Sequence, residues 1–220
     1  MKLINNELGI QIEFQENKAV VLVIESPYIF AESVCDLLQE NDEEFVLIEA
    51  EEQIKIQKEV EIITDPFRLE FNSRKVLQKL YKEWSLTANE MMDQKADINA
   101  AIIETLNQLQ MQSSYGNIRF ELELSWEEIF KAYQVRFENE DVGLLERLIA
   151  YIKIMSGLLK IRVVCFVNLK CYLTTEQLRQ LYQMAFYCKM YLLLLETRET
   201  VRLEEEKVYI IDNDRCLIVK

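Results

Sequence analysis

The sequence predicts an α/β protein: a parallel-sheet domain built from both chain ends, with an α-helical domain inserted between them. Three observations carry this. Short, continuous, β-branched or leucine-rich runs occur only near the two ends. The middle changes to helical spacing of its apolar residues. With 4 Gly and 2 Pro in 220 residues, the chain lacks the turn chemistry of a many-stranded β fold. The domains are expected at 1–65 plus 158–220 and at 66–157.

The elements follow in order. Val20–Ile24 is a buried strand, and Ser26-Pro27 then starts a helix, with Ser as N-cap and Pro at the first helical position. Phe30, Val34, Leu37 and Leu38 give that helix its apolar spacing. Phe45–Ile48 and Val60–Thr64 are further short strands, the latter closed by Asp65-Pro66. Asn72-Ser73 caps a helix carrying Val76, Leu77, Leu80 and Trp84. A second helix runs from about Ala88 to Gln112 with Met91, Ile98, Ile102, Leu106 and Leu109 on one stripe. Ser113–Asn117 is a turn. Ile118–Leu124 alternates like a strand or extended segment. Ser125 with Glu128 is a capping box for a short helix over 126–133, and a last inserted helix is expected over about 140–157. The α/β pattern then returns: a strand at Arg162–Val167, a helix capped by Thr174 or Thr175, a strand at Met190–Leu195, and a closing hairpin of Val208–Ile211 and Cys216–Val219.

Composition excludes several chemistries. There is no histidine, which removes Ser-His-Asp, Cys-His and histidine–zinc mechanisms within one chain. The five cysteines (35, 165, 171, 188, 216) form no C-x-x-C pair, as expected of free, mostly buried thiols in a reducing compartment. The longest apolar runs, at 20–24 and 190–195, are far short of the ~20 residues a bilayer needs. The expectation is a soluble, cytoplasmic protein with no membrane contact.

A strand–turn–helix opening implies a nucleotide-binding-like sheet, but no phosphate loop accompanies it. The turn is Glu25-Ser26-Pro27-Tyr28, without the glycines and lysine that cradle a phosphate, and Glu25 repels one. Asn168 stands after Val163–Val167 where a magnesium-holding Asp would be needed. Leu195-Glu196 puts a carboxylate at a strand end, read as a solvated loop residue.

The formal charge of −13 argues globally against nucleic acid, yet the charge is unevenly spread. Residues 36–63 hold ten acids (among them Glu40, Asp42 and Glu43) and two lysines, whereas 66–82 hold five bases and one acid. In that basic stretch Lys75, Lys79 and Lys82 share one helix face, flanked by Arg74. Either this is an ordinary solvated face or it contacts a phosphate backbone. Lys131, Arg136 and Lys153 are the next basic candidates. Glu121, Glu123, Glu127 and Glu128 form an acidic cluster of a kind that can hold a hard cation such as calcium; exposed strand and capping glutamates are the alternative.

Several strings resemble a known family: VVLVIESPYIFAESV (20–34), IITDP leading to FNS (62–73), Ile129-Phe130-Lys131 leading to Val135-Arg136-Phe137-Glu138, VVCFVNLKCYLTTEQL (163–178) and YLLLLETRE (191–199). Together they resemble the Csn-type accessory (spacer-acquisition) proteins of type II-A CRISPR systems. The resemblance implies an α/β head without a phosphate loop, an α-helical leg and no enzymatic activity. It also implies a homotetrameric ring whose basic hole encircles linear double-stranded DNA, entered from an end without sequence preference. Calcium stabilises such rings, and here Glu121, Glu123 and Glu128 are the matching candidate ligands, in a stretch without Asp. The implied partners are the CRISPR integrase proteins and the effector nuclease. A degenerate nucleotide-binding-fold protein acting only through protein–protein contacts is the alternative function.

Overall fold

The computed structural model describes residues 1–39, 44–138 and 142–220; Glu40, Asp42 and Glu43 of the acidic stretch, and the expected start of the helix at 140, lie outside them. The chain groups into two units, Met1–Phe71 with Glu140–Lys220, and Asn72–Asn139.

The first unit opens with β1 (Lys2–Asn5), β2 (Ile10–Glu13), β3 (Ala19–Ile24), α1 (Pro27–Leu38), β4 (Phe45–Glu49), β5 (Glu52–Ile54), the single-turn α2 (Ile56–Glu59) and β6 (Val60–Ile63). The second unit holds α3 (Arg74–Ala88), α4 (Met92–Gln112) and α5 (Trp126–Ala132). The first unit resumes with α6 (Leu144–Ile154), extended by a π-helical turn over Met155–Leu159. It then continues through β7 (Val163–Val167), α7 (Thr175–Tyr187), β8 (Tyr191–Glu196), β9 (Glu206–Ile211) and β10 (Leu217–Val219).

Two sheets make the first unit. The larger has the order β10-β9-β3-β8-β7-β6. It is parallel throughout except for the closing hairpin of β9 and β10. β3 lies between β8 and β9 and all six of its residues are buried, which is why its sequence is a continuous apolar run rather than an alternating one. The smaller sheet, β2-β1-β4-β5, is antiparallel. Its strands alternate: Ile10 and Ile12 are buried while Gln11 and Glu13 are exposed. Gly9, at φ +62°, makes the turn from β1 to β2, a backbone region open to glycine at little steric cost. The two sheets share one core, in which Leu3, Ile12, Phe45 and Leu47 meet Leu22, Ile24, Val163, Cys165 and Leu195. Arg162 joins them electrostatically, its guanidinium reaching Glu59 at 2.6 Å and Glu49 at 2.7 Å.

Several elements differ from the sequence reading. The β1–β2 hairpin was not anticipated, and Phe45–Ile48 joins the antiparallel sheet. The segment at 118–124, expected as a strand or an extended segment, contains no strand. It runs extended beside α4, whose Asn99 and Gln110 amides donate to the Leu122 and Ile118 carbonyls. Ser26 does occupy the N-cap of α1 with Pro27 behind it, but its hydroxyl makes no capping bond. The expected inserted helix at 140–157 groups with the first unit, not with the helical one. Leu145, Leu148 and Ile152 of α6 are buried, α6 packs on α7, and Tyr151 donates to Glu61 of β6 at 2.7 Å. Its apolar stripe therefore covers the parallel sheet's own helix layer.

Candidate nucleic-acid interface

The basic helix α3 begins at Ser73, whose Oγ accepts from Val76 N at 3.4 Å. Asn72 just before it is clamped to the far end of the helical unit: its amide donates to the Phe137 carbonyl at 2.9 Å and accepts from Phe137 N at 2.8 Å. Val76, Leu80, Tyr81 and Ala88 form the buried face of α3. Tyr81 donates to the Val135 carbonyl at 2.8 Å, and its ring lies 6.0 Å from Phe130 of α5. Trp84 meets Phe130 edge-on and Trp126 stacks on it, so Phe130 is the centre of an aromatic cluster joining α3 to α5. Trp84 keeps about half its surface exposed.

Arg74, Lys75, Lys79 and Lys82 are all exposed. Among the described residues none of the four makes an ion pair. At 100° per residue Lys75, Lys79 and Lys82 fall within about 60° of arc, away from the buried face. Arg74 and Lys75 also lie in the first turn, where the helix dipole disfavours cations by a few tenths to ~1 kcal/mol each. Helix stability therefore does not account for their placement. Of the next basic candidates, Lys131 and Arg136 lie in the helical unit and Lys153 in the other; all three are exposed.

The three candidate calcium ligands do not come together. Glu123 is ion-paired with Lys95 at 2.7 Å, and that hydrogen bond holds its carboxyl below the usual carboxylate range. Glu128 turns back to accept from both Ser125 Oγ and Ser125 N at 2.7 Å, completing the capping box. These bonds likewise lower its pKa. Glu121 is exposed. Among the described residues no group of three Asp, Glu or Cys side chains is arranged to hold a metal. With one carboxylate neutralised by a lysine and another committed to a helix cap, this trio does not fit a calcium ion.

At the carboxyl ends of the parallel strands, where α/β sheets place their ligands, the turn after β3 carries Glu25. Its carboxylate accepts from Asn213 Nδ2 at 3.2 Å. Asn168, in the left-handed region at φ 54°, accepts from Thr197 N and Oγ1. Glu196, expected in solvent, is buried at 3 % exposure and accepts from Lys170 N at 3.0 Å. Burial raises its pKa. Lys170, its side chain 4 % exposed, in turn places its ammonium 2.9 Å from the fully buried Glu206 side chain, which also accepts from Tyr182 Oη at 2.7 Å and Leu203 N at 2.9 Å. This network was not anticipated, because nothing local in Asn168-Leu169-Lys170 or Glu204–Glu206 separates a buried charge from a surface one.

What results is a parallel-sheet head whose turn after β3 lacks a phosphate loop, and a helical unit with a basic face that makes no ion pair among the described residues. Residues 37–215 match the family described as CRISPR-associated protein (Cas_Csn2). The chain belongs to this CRISPR-associated family. It is 24% identical over 208 residues to CRISPR-associated protein Csn2 of Streptococcus agalactiae, covering 92% of this chain and 91% of that one. It is 24% identical over 187 residues to the Csn2 of Enterococcus faecalis, covering 82% and 84%. Among solved structures, the ADP conformation of an ATP-binding cassette of an ABC transporter aligns at TM-score 0.48 and 9% identity, over 92% of this chain and 79% of that one. No helix among the described residues is long and apolar enough to cross a membrane.

Proposed function

We propose that this protein is a non-catalytic, ring-forming DNA-binding protein that takes the ends of linear double-stranded DNA without sequence specificity and assists spacer acquisition in a type II-A CRISPR system. The observation that carries this is the α3 face: four exposed cations without ion-pair partners among the described residues, on a chain of net charge −13. Point contacts from lysines to phosphates give salt-sensitive, sequence-blind affinity. A homotetramer repeats this face fourfold around a hole while the acids face outward, which turns a repulsive net charge into a locally attractive field. The apolar surface of the helical unit supports such assembly, since α4 buries none of its described side chains and leaves Ile98, Ile102 and Leu109 exposed. The turn after β3 supports the non-enzymatic reading, because Glu25 stands where a nucleotide's phosphates would lie. The CRISPR integrase proteins and the effector nuclease are the proposed partners.

A mobility-shift comparison of linear with relaxed closed-circular duplex of equal length tests this, alongside a light-scattering mass. The expected result is four times the chain mass and a shift of the linear form only. Equal shifts of both forms, or a monomer mass at micromolar concentration, would overturn the ring.

A further inference from the structure

The first helix of the α/β unit carries a surface that the DNA-binding reading leaves unused. α1 buries Ile29, Ser33 and Leu37, one residue per turn, against the sheet. On a helical projection the opposite arc is occupied by Leu38, Ala31, Cys35 and Tyr28, all exposed, with Tyr28 at 67% and Leu38 at 52%. The centre of the solvent face is thus apolar from one end of the helix to the other, where an amphipathic surface helix normally carries its charges.

The flank of that stripe is acidic. Glu32 borders it and Asp36 stands one turn further along the same side, toward the buried face; among the described residues both line one cleft with Glu7, Glu44 and Arg215. Asp36 sits in the last turn, which contains no basic residue, so the negative end of the helix dipole adds to the carboxylates. Asp36 and Glu44 share a hydrogen bond that pushes the Glu44 carboxyl up to about 7.

We propose that the outer face of α1 docks a basic amphipathic helix of a partner protein, its apolar side chains on the Tyr28–Ala31–Cys35–Leu38 stripe and its Lys or Arg side chains on Glu32 and Asp36. Charge complementarity selects this occupant: the carboxylates exclude a nucleic acid, and a second copy of α1 would bring like charges together. The stripe lies on α1 and uses none of the α3 residues, so the proposal stands whether or not the DNA reading does.

The full-length protein is titrated into two fluorescein-labelled helical peptides of about 18 residues. They have identical leucine spacing; one is flanked by lysines and the other by glutamates. The lysine peptide is expected to bind and the glutamate peptide not to. Tyr28→Ser with Leu38→Ser, and separately Glu32→Gln with Asp36→Asn, each weaken binding about tenfold. Glu83→Gln with Glu127→Gln, an equal charge change on the helical unit, leaves it unchanged. Equal binding of both peptides, or equal weakening by the control pair, overturns the proposal, the second by showing only diffuse charge attraction. Loss of the protein's own oligomer in the Tyr28→Ser, Leu38→Ser variant also overturns it, by identifying a second copy as the occupant.

Discussion

Replacing Glu206 by Gln probes a buried ion pair in the α/β unit. The carboxylate is fully buried and serves four donor contacts: Tyr182 Oη at 2.7 Å, Leu203 N at 2.9 Å, and the Lys170 ammonium at 2.9 Å and 3.0 Å to its two oxygens. Gln keeps the shape and one acceptor but leaves the Lys170 charge 4 % exposed and unneutralised. Breaking a buried pair from one side costs about 3–5 kcal/mol. Tyr182→Phe removes only one hydrogen bond to a charged acceptor, ~1.5–3 kcal/mol, and leaves the ion pair whole. Removing both charges, Lys170→Met with Glu206→Gln, should recover most of the loss, since the ammonium that Glu206→Gln leaves unneutralised is then gone. Urea unfolding followed by far-UV circular dichroism reads these as midpoint shifts at constant slope. The reasoning fails if Glu206→Gln unfolds within error of the wild type, or if the double variant is no more stable than Glu206→Gln alone.

Two further outcomes concern carboxylates whose pKa values the fold moves. Burial raises Glu196 above its ordinary value near 4.5, so the folded state binds more protons than the unfolded one between those two values. Its stability contribution is fully present below about 4.5 and declines as pH rises through the folded value. Glu196→Gln should flatten that slope in a pH series of thermal melts, and an unchanged slope would locate the pH dependence elsewhere. Glu128→Ala should lower the melting temperature by removing the capping box, by the same amount in chelator as in millimolar calcium. A loss seen only with calcium would make Glu128 a metal ligand.

Much of the α/β unit was legible because its strands are apolar on both faces. Val20–Ile24, Val163–Val167 and Leu192–Leu195 admit little but a buried parallel strand, and the parallel pairings follow from the helices between them. The capping box at Ser125 was legible for a different reason, since its side-chain chemistry lies within four residues; the later helix was legible only as capped by Thr174 or Thr175, and Thr174 takes that place. The small antiparallel sheet was harder. Lys2–Asn5 and Ile10–Glu13 are four-residue strands, and their alternation is too short to separate from a coil. The place of α6 was not legible, because an apolar stripe says that a helix is covered but not by which unit. The segment at 118–124 shows the converse: alternation without a partner strand leaves the backbone to side-chain amides of α4. In the candidate interface, the lysine face of α3 followed directly from helical spacing. The commitment of Glu123 to Lys95 depends on residues 28 apart, beyond any local pattern.

The central claim, that α3 meets the phosphate backbone, is tested most directly by the salt dependence of linear-duplex binding by Lys75→Glu, Lys79→Glu, Lys82→Glu. All three side chains are exposed, so the variant should keep the wild-type oligomeric mass in light scattering. The wild type should lose affinity steeply as salt rises, with a log–log slope near −0.9 per phosphate neutralised. The triple variant should show no shift of linear duplex at wild-type concentrations. Wild-type affinity and an unchanged salt slope in the triple variant would contradict the account and move the contact to another surface.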